Sequence, residues 1–382
     1  MYFQQRYLEE SKAFDATSGL DTIELPNKGL LSGIEMRVWG TCGAGGDKPD
    51  VWLHDRLTKV ELVVNGSKVV KSLTGEQILA DMLYKRTPIQ PHDIKNMASA
   101  SCEEYFYINL GRHYHDLDYM LDLGRVNDPE LRLEYDFTKT SQNGWTNGVA
   151  MSAAPSRSVI CHLLRDAPLT PKGYIKTSEV YRFTSGVSKK ENMTIPKGPM
   201  YSNLYLQSWY KDQGIGYLLD KLELNLNNDA IIPIRVGPTE LASEVTRMYG
   251  VFIIHEQMSV KGGQAYPCPL EQGKLANLMV GLIDAEGSAL DLWGNSSPIS
   301  FRKTSDGVTP VTSNVNVNAT FIGIWPFSVS AIPLFDPWDE RTWIDSSKLG
   351  DFWLRVEENA SGGTSAVLKL LADEVVTRYE SV

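Results

Sequence analysis

Between Leu57 and Val64 apolar and polar side chains alternate with period two, Thr58, Val60, Leu62 and Val64 on one side and Leu57, Lys59, Glu61 and Val63 on the other. That period predicts a strand with one buried face. Asn65-Gly66 follows, a pair that tolerates positive φ, and then the β-branched run Val69-Val70. The stretch predicts strand, turn and strand, with a short helix opening near Thr74.

The same block occurs twice. Leu219 to Ala242 (LDKLELNLNNDAIIPIRVGPTELA) lies over Leu57 to Ala80 (LTKVELVVNGSKVVKSLTGEQILA) without a gap, with eight of 24 positions identical. Leu25–Trp39 pairs with Ile195–Trp209 through Pro26/Pro196, Ser32/Ser202 and Trp39/Trp209. Asp128–Glu134 resembles Asp351–Glu357, and Val159–Asp166 is set beside Ala366–Asp373. An isolated two-stranded piece is unstable, so each copy belongs to a larger sheet system and the repeat predicts two domains of one fold.

Boundaries follow from the repeat. Residues 1–19 are expected as an N-terminal arm, helical over Tyr2 to Phe14 because Phe3, Tyr7 and Phe14 fall at roughly helical spacing. The first domain is expected over 20–170 and the second over 171–382, divided at Pro168 to Gly173, with an insertion around 243–325. Within that insertion Leu241 to Tyr249 predicts a helix, Val251 to Ile254 an apolar run, and Gly294 to Asn318 a long excursion. Long excursions more often serve contact than core.

Composition adds the class. Thirty-one Gly, 19 Pro, 17 Tyr and 9 Trp, scattered along the chain, describe an all-β protein in which helices are short. The 37 basic and 47 acidic residues give a net charge of −10, which argues against a nucleic-acid surface, since that needs dense positive charge. Cys42, Cys102, Cys161 and Cys268 are far apart, with no CxxC spacing, and are expected as free thiols in a reducing compartment. Met1 to Phe14 is too polar for a signal peptide. The most apolar run, Leu275 to Ile283, is about half the ~20 residues of a membrane helix.

Local motifs supply no chemistry. There is no GxSxG, HExxH or GxGxxG after a strand, so no catalytic and no cofactor-binding residue is assigned. Gly40 to Pro49 lacks the Lys-Ser/Thr of a phosphate loop and reads as a connector. Glu103-Glu104 and Glu357-Glu358 lie in or beside strands, where neighbours face opposite sides, and are expected on solvated faces. The one metal candidate is His113 and His115 with Asp116 or Asp118, because two His two apart on a strand point the same way. Its alternative is a polar loop leading into a helix near Asp116. His54, His92, His162 and His255 are isolated in sequence and receive no role.

Three stretches carry a family resemblance. Gly29 to Val38 (GLLSGIEMRV), Leu57 to Gly66 and Leu73 to Gln77 together are similar to the first roll of major capsid proteins in the tectivirus and adenovirus lineage. The closing strands Phe352 to Val356 and Val367 to Leu371 also suit that family. The resemblance implies a double jelly roll, two tandem eight-stranded rolls with short helices and long loop insertions. It further implies a structural virion protein whose homotrimers form pseudo-hexagonal capsomers tiling an icosahedral shell, commonly over an internal membrane.

Implied partners are copies of the chain, neighbouring capsomers, minor capsid and penton proteins, and the internal membrane through the N-terminal arm, with no direct contact to nucleic acid. Implied location is the virion, after synthesis in the host cytoplasm, and no cofactor is expected. Removal of Met1 to Phe14 is expected to leave trimers that fail to form shells. Gly40 to Arg56, Thr138 to Met151 and Gly294 to Asn318 would then form outer towers or trimer contacts. Two rivals stand beside this reading. One is a secreted glycan-processing enzyme resembling the peptide N-glycosidases. The other is a carbohydrate-binding or spike protein with sugars stacked on Trp145, Trp293 or Trp338.

Overall fold

The computed structural model describes residues 1–44, 51–90, 92–93, 99–146, 148–211, 213–261, 267–271, 289–293, 300–304, 314–334 and 336–377. In the first half the strands are β1 (Tyr2–Ala13), β2 (Ser18–Glu24), β3 (Leu30–Thr41), β4 (Leu57–Val64), β5 (Lys68–Leu73), β6 (Ser101–Asn109), β7 (Glu130–Asp136) and β8 (Ser156–Arg165). Helices α1 (Leu53–Arg56) and α2 (Gly75–Tyr84) flank the β4-β5 hairpin. The second half gives β9 (Tyr174–Thr184), β10 (Lys190–Thr194), β11 (Met200–Gln207), α3 (Ile215–Leu218), β12 (Leu219–Leu226), β13 (Ile231–Val236) and α4 (Pro238–Tyr249). Then follow β14 (Phe252–Lys261), β15 (Asn314–Gly323), β16 (Val329–Ala331), β17 (Phe352–Glu358) and β18 (Val367–Val376).

Strand order is the same in both halves. The first packs the quartet β1-β8-β3-β6 against β2-β7-β4-β5, and the second packs β9-β18-β11-β16 against β10-β17-β12-β13. Each is an eight-stranded jelly roll whose facing sheets bury alternate residues, such as Leu62, Leu131 and Leu133 in the first and Leu222, Leu224 and Leu354 in the second.

Register tests the repeat residue by residue. Val60 faces Leu133 and Leu62 faces Leu131, while Leu222 faces Val356 and Leu224 faces Leu354, so the Asp128/Asp351 match holds in register. The Val159/Ala366 match finds the right strands in the wrong register. Val159 faces Met36, the place where Leu370 faces Leu206, four residues beyond Ala366. Nor is the main block free of gaps. Val60 faces Leu73 but Leu222 faces Val236, because the second hairpin turns through Asn227, Asn228 and Asp229, all at φ of 55 to 62°, and is one residue longer than the turn at Asn65 (φ 53°) and Gly66 (φ 76°). Asn, Asp and Gly adopt that left-handed conformation with least strain.

The N-terminal segment departs from expectation. Tyr2–Ala13 is a strand, not a helical arm, paired with β8 from Tyr2 beside Arg165 to Ala13 beside Ser156. A ladder interrupted only by bulges outweighs helix propensity here, and Phe14 seals the end, buried 4.6 Å from Tyr135 and 4.8 Å from Phe137 between ring centroids. Residues 1–19 therefore hold the first strand and the start of the second. No helix opens near Asp116 either; the chain there is a bent loop. The apolar run 275–283, residues 45–50 of the connector and much of the Gly294–Asn318 excursion lie outside the described residues.

Two joins tie the rolls together. The outer edge of β5 runs parallel to β9, Lys71 beside Thr177 and Ser72 beside Ser178, so one sheet passes from the first roll into the second. In return, the β14-β15 hairpin of the second half extends the first roll's sheet through a bridge at His92–Asp93 beside β6. The helix predicted over Leu241–Tyr249 is present as the body of α4.

Candidate functional site

The densest buried polar chemistry lies where the rolls meet. Lys71 shares the inner side of its sheet with Leu62, which it faces, and α2 ends at its C-cap Lys85. Lys85 Nζ stands 2.6 Å from Asp81 and 3.3 Å from Asp373, and donates to Thr177 Oγ1 at 3.2 Å. Lys71 Nζ and the Thr177 hydroxyl extend the chain of bonds towards Asp373, whose second oxygen accepts from Tyr205 at 3.0 Å. All these groups are buried. Burial opposes the charge on Lys85, but Asp373 and Asp81 outweigh it and keep the ammonium charged. Lys71, with burial and Lys85 both against it, is shifted down. A buried network of this kind is satisfied only in one arrangement of its parts, which fixes how the rolls sit.

A second cluster also reaches across the seam. His54 in α1 bonds Glu104 on β6, with Nδ1 3.1 Å from Oε2 and the backbone N–H 2.9 Å from the same oxygen. Burial disfavours its charge, yet Glu104 and Asp55 raise it to about 9. Asp55 accepts from Trp209 Nε1 of the second roll at 3.2 Å. Glu256 on β14 is pushed up to about 8 by burial and then by Glu104, and His92 is pushed down to about 4 by burial. The approach is close: a Cβ at Gly75 would stand 2.3 Å from the carbonyl oxygen of His54.

These residues were not found from sequence. The solvated reading fails for one member of each acidic pair, since Glu104 and Glu358 are buried while Glu103 pairs with Arg37 at 2.7 Å and Glu357 with Lys190 at 3.1 Å. The available signal was a charge at a core-facing position of an apolar strand, as at Lys71 in Val-Val-Lys-Ser-Leu.

The expected metal ligands go to separate tasks. Asp116 is buried and takes the Arg112 guanidinium on both oxygens, at 2.7 and 2.9 Å, while Asp118 takes the same group at 2.6 Å. Burial opposes the Asp116 charge, but Arg112 outweighs it and holds the carboxyl below its usual range. His113 Nδ1 lies 3.0 Å from the Tyr114 carbonyl oxygen. His115 stacks on Phe3 at 3.7 Å and on Tyr114 at 3.8 Å, 3.3 Å from His162, and burial lowers it to about 4. Among the described residues no group of three or more His, Cys, Asp or Glu is placed to hold a metal ion.

The proposed sugar platforms are occupied. Trp145 is buried, and Trp338 is covered by Arg86 at 3.7 Å and by Tyr249 at 5.5 Å; the Trp293 side chain lies outside what is described. A polar cavity of about 270 Å³ opens at the seam, lined with mixed charges including Lys59, Glu76, Lys139, Glu179, Arg182 and Lys369. Opposed charges around the wall leave it without one preferred sign of ligand. The four cysteines are buried and form no disulfide.

No family model and no curated protein matches the sequence. Solved structures do. The STIV MCP, from Sulfolobus turreted icosahedral virus, matches with a TM-score of 0.62 at 12% identity, over 99% of this chain and 98% of that one. The major capsid protein P2 of bacteriophage PM2 matches with a TM-score of 0.52 at 10% identity, over 98% and 99%. VP54 of PBCV-1, fitted into a reconstruction of the virophage Sputnik, matches with a TM-score of 0.56 at 11% identity, over 98% and 95%. These matches establish the fold, a double jelly roll, over nearly the whole chain.

Proposed function

We propose that this chain is a viral major capsid protein whose homotrimers form capsomers with six similar sides. The carrying observation is that both rolls have one strand order and are joined edge to edge. Three chains of two like domains present six like flanks, and that is what a hexagonal net requires of its unit. Nearly complete mutual coverage with capsid proteins of similar length supports the same reading. The role is structural: the buried charges of the seam hold two domains together.

In the virion such capsomers would contact one another and, at vertices, minor capsid and penton proteins. A net charge of −10 suits a shell whose inner side meets lipid rather than nucleic acid. The N-terminal segment, being strand β1 of the first roll, is not free to serve as a membrane arm. Size-exclusion chromatography with light scattering tests the proposal. A particle of three times 42.6 kDa, hexagonal in outline by electron microscopy, is expected, and a stable monomer at micromolar concentration overturns it.

A further inference from the structure

The join between the rolls leaves one unused copy of each of its halves. Within the chain, the outer edge of β5 takes β9 in parallel. Their counterparts, β13 in the second roll and β1 in the first, end their sheets with no neighbour among the described residues. Both free edges carry exposed apolar side chains, Tyr2 (55%) and Tyr7 (54%) on β1, Ile231 (51%) and Ile232 (41%) on β13. Charges and bulges on β1 and Pro233 on β13 guard these edges against indiscriminate pairing, so a partner must be argued from register.

Register fixes the correspondence. Ser178 faces Ala372, which faces Leu204; Arg6 faces Cys161, which faces Ile34, the residue matching Leu204 in the Trp39/Trp209 alignment. The same bulge follows in both strands, at Val180 and at Leu8. On the other side, Ile234 faces Leu224 as Lys71 faces Leu62, and Arg235 faces Glu223 as Ser72 faces Glu61. Gln5 and Arg6 thus stand where Thr177 and Ser178 stand, and Ile234 and Arg235 where Lys71 and Ser72 stand.

We infer that β13 of one copy pairs in parallel with β1 of a second copy, Ile234 beside Gln5 and Arg235 beside Arg6, repeating between chains the join made within each. This rests on the capsomer reading and supplies its contact. A join of unlike faces between like units runs head to tail and closes into a ring when its rotation permits.

The helices support the same docking independently. In the chain α2 lies over the second roll's sheet, where Gln77 donates to Gln207 at 2.8 Å and Tyr84 to the Val329 carbonyl at 2.7 Å. Counted from their N-caps, Thr74 and Gly237, the α4 counterparts of Gln77 and Tyr84 are Glu240 and Arg247. The sheet counterparts of Gln207 and Val329, which face each other, are Arg37 and Tyr105, which also face each other. Docking by the same geometry brings Glu240 to Arg37, which already pairs with Glu103, and Arg247 to the ring of Tyr105. Arg37 is 40% exposed, Glu240 is exposed, and a groove of about 250 Å³ lined by Glu35, Tyr105, Tyr107 and Tyr114 lies on that face.

Cysteine cross-linking tests the contact, with Arg6→Cys and Arg235→Cys at exposed positions and the four native thiols buried. With a short bis-maleimide, the double variant is expected to run as a covalent trimer on a denaturing gel. The two single variants mixed and co-assembled are expected to give covalent dimers, and either alone none. A trimer by light scattering without these cross-links overturns the β13–β1 contact and leaves the capsomer reading standing. A monomer by light scattering overturns both. Separately, Glu240→Arg is expected to weaken trimer association about tenfold; unchanged association overturns the helix contact.

Discussion

Tyr84, the last residue of α2 in the first roll, donates its hydroxyl to the carbonyl oxygen of Val329 in the second at 2.7 Å and accepts from the N–H of Ala331 at 3.1 Å. Both groups belong to the free side of β16, the end strand of its sheet, so one side chain completes an edge that would otherwise be buried and unsatisfied. Tyr84→Phe keeps the ring among Tyr205, Tyr249 and Phe252 but leaves both groups without a partner. The expected cost is about 1–3 kcal/mol, read as a lower denaturation midpoint at unchanged slope. A midpoint equal to that of the parent protein would show that these bonds contribute nothing to the seam.

Asp373 receives Lys85, Tyr205 and Thr177 together. Asp373→Ala strands the Lys85 charge beside Asp81 alone in a dry seam, and breaking a buried pair in this way typically costs about 3–5 kcal/mol. Lys348→Ala, which removes an exposed pair with Asp345, is the control and should leave the melting temperature where it was. Comparable effects from the two substitutions would sink the assignment of Asp373 as the centre of the join.

Two seam groups, His54 and Glu256, lose their stabilising contribution on the alkaline side. The His54 contribution is fully present below its ordinary 6.5 and is lost as pH rises through about 9, because the folded state holds that proton more tightly. Glu256 acts in the same direction, since its folded carboxyl stays protonated up to about 8 while the unfolded one ionises near 4.5. His92 acts oppositely at lower pH: buried and neutral down to about 4, it adds stability as pH rises from there to 6.5. Lys71, shifted down by burial, opposes both by adding stability as pH rises through the same range, so the check is a comparison: between pH 6.5 and 8 the thermal midpoint is expected to decline less, or rise more, in Glu256→Gln than in the parent protein. Identical pH profiles for the two proteins would refute the Glu256 contribution.

Deleting Met1 to Phe14 should disrupt the first roll itself. It removes β1, exposes the edge of β8, and takes away Glu9, which holds the buried Arg157 at 2.5 Å. Soluble yield and the melting midpoint should both drop sharply. Well-folded trimers from the shortened chain would restore the idea of a separable arm.

The division between what was legible and what was not follows from the range of each interaction. Period-two alternation, Asn-Gly and Asn-Asn turns and a block copied in tandem are local or self-referential signals, and they determined the hairpins β4-β5 and β12-β13, the helices after them and the presence of two like domains. A resemblance over Gly29 to Gln77 extended this to the double jelly roll. Register needed coordinates, because one inserted turn residue at Asn227–Asp229, or a four-residue slip at Val159, leaves the hydrophobic pattern almost unchanged while moving every cross-strand partner. The N-terminal strand was misread for the same reason: its exposed, polar residues are strand only because β8 lies beside them.

The buried chemistry was hidden most completely. Lys85 lies 288 residues from Asp373 and Lys71 farther still, and His54, Glu104 and Glu256 are likewise scattered along the chain. Sequence determined what each roll is. Only the tertiary structure decided how the two meet, since the charges buried there are completed by partners such as Asp373 and Trp209 that folding brings from the second roll.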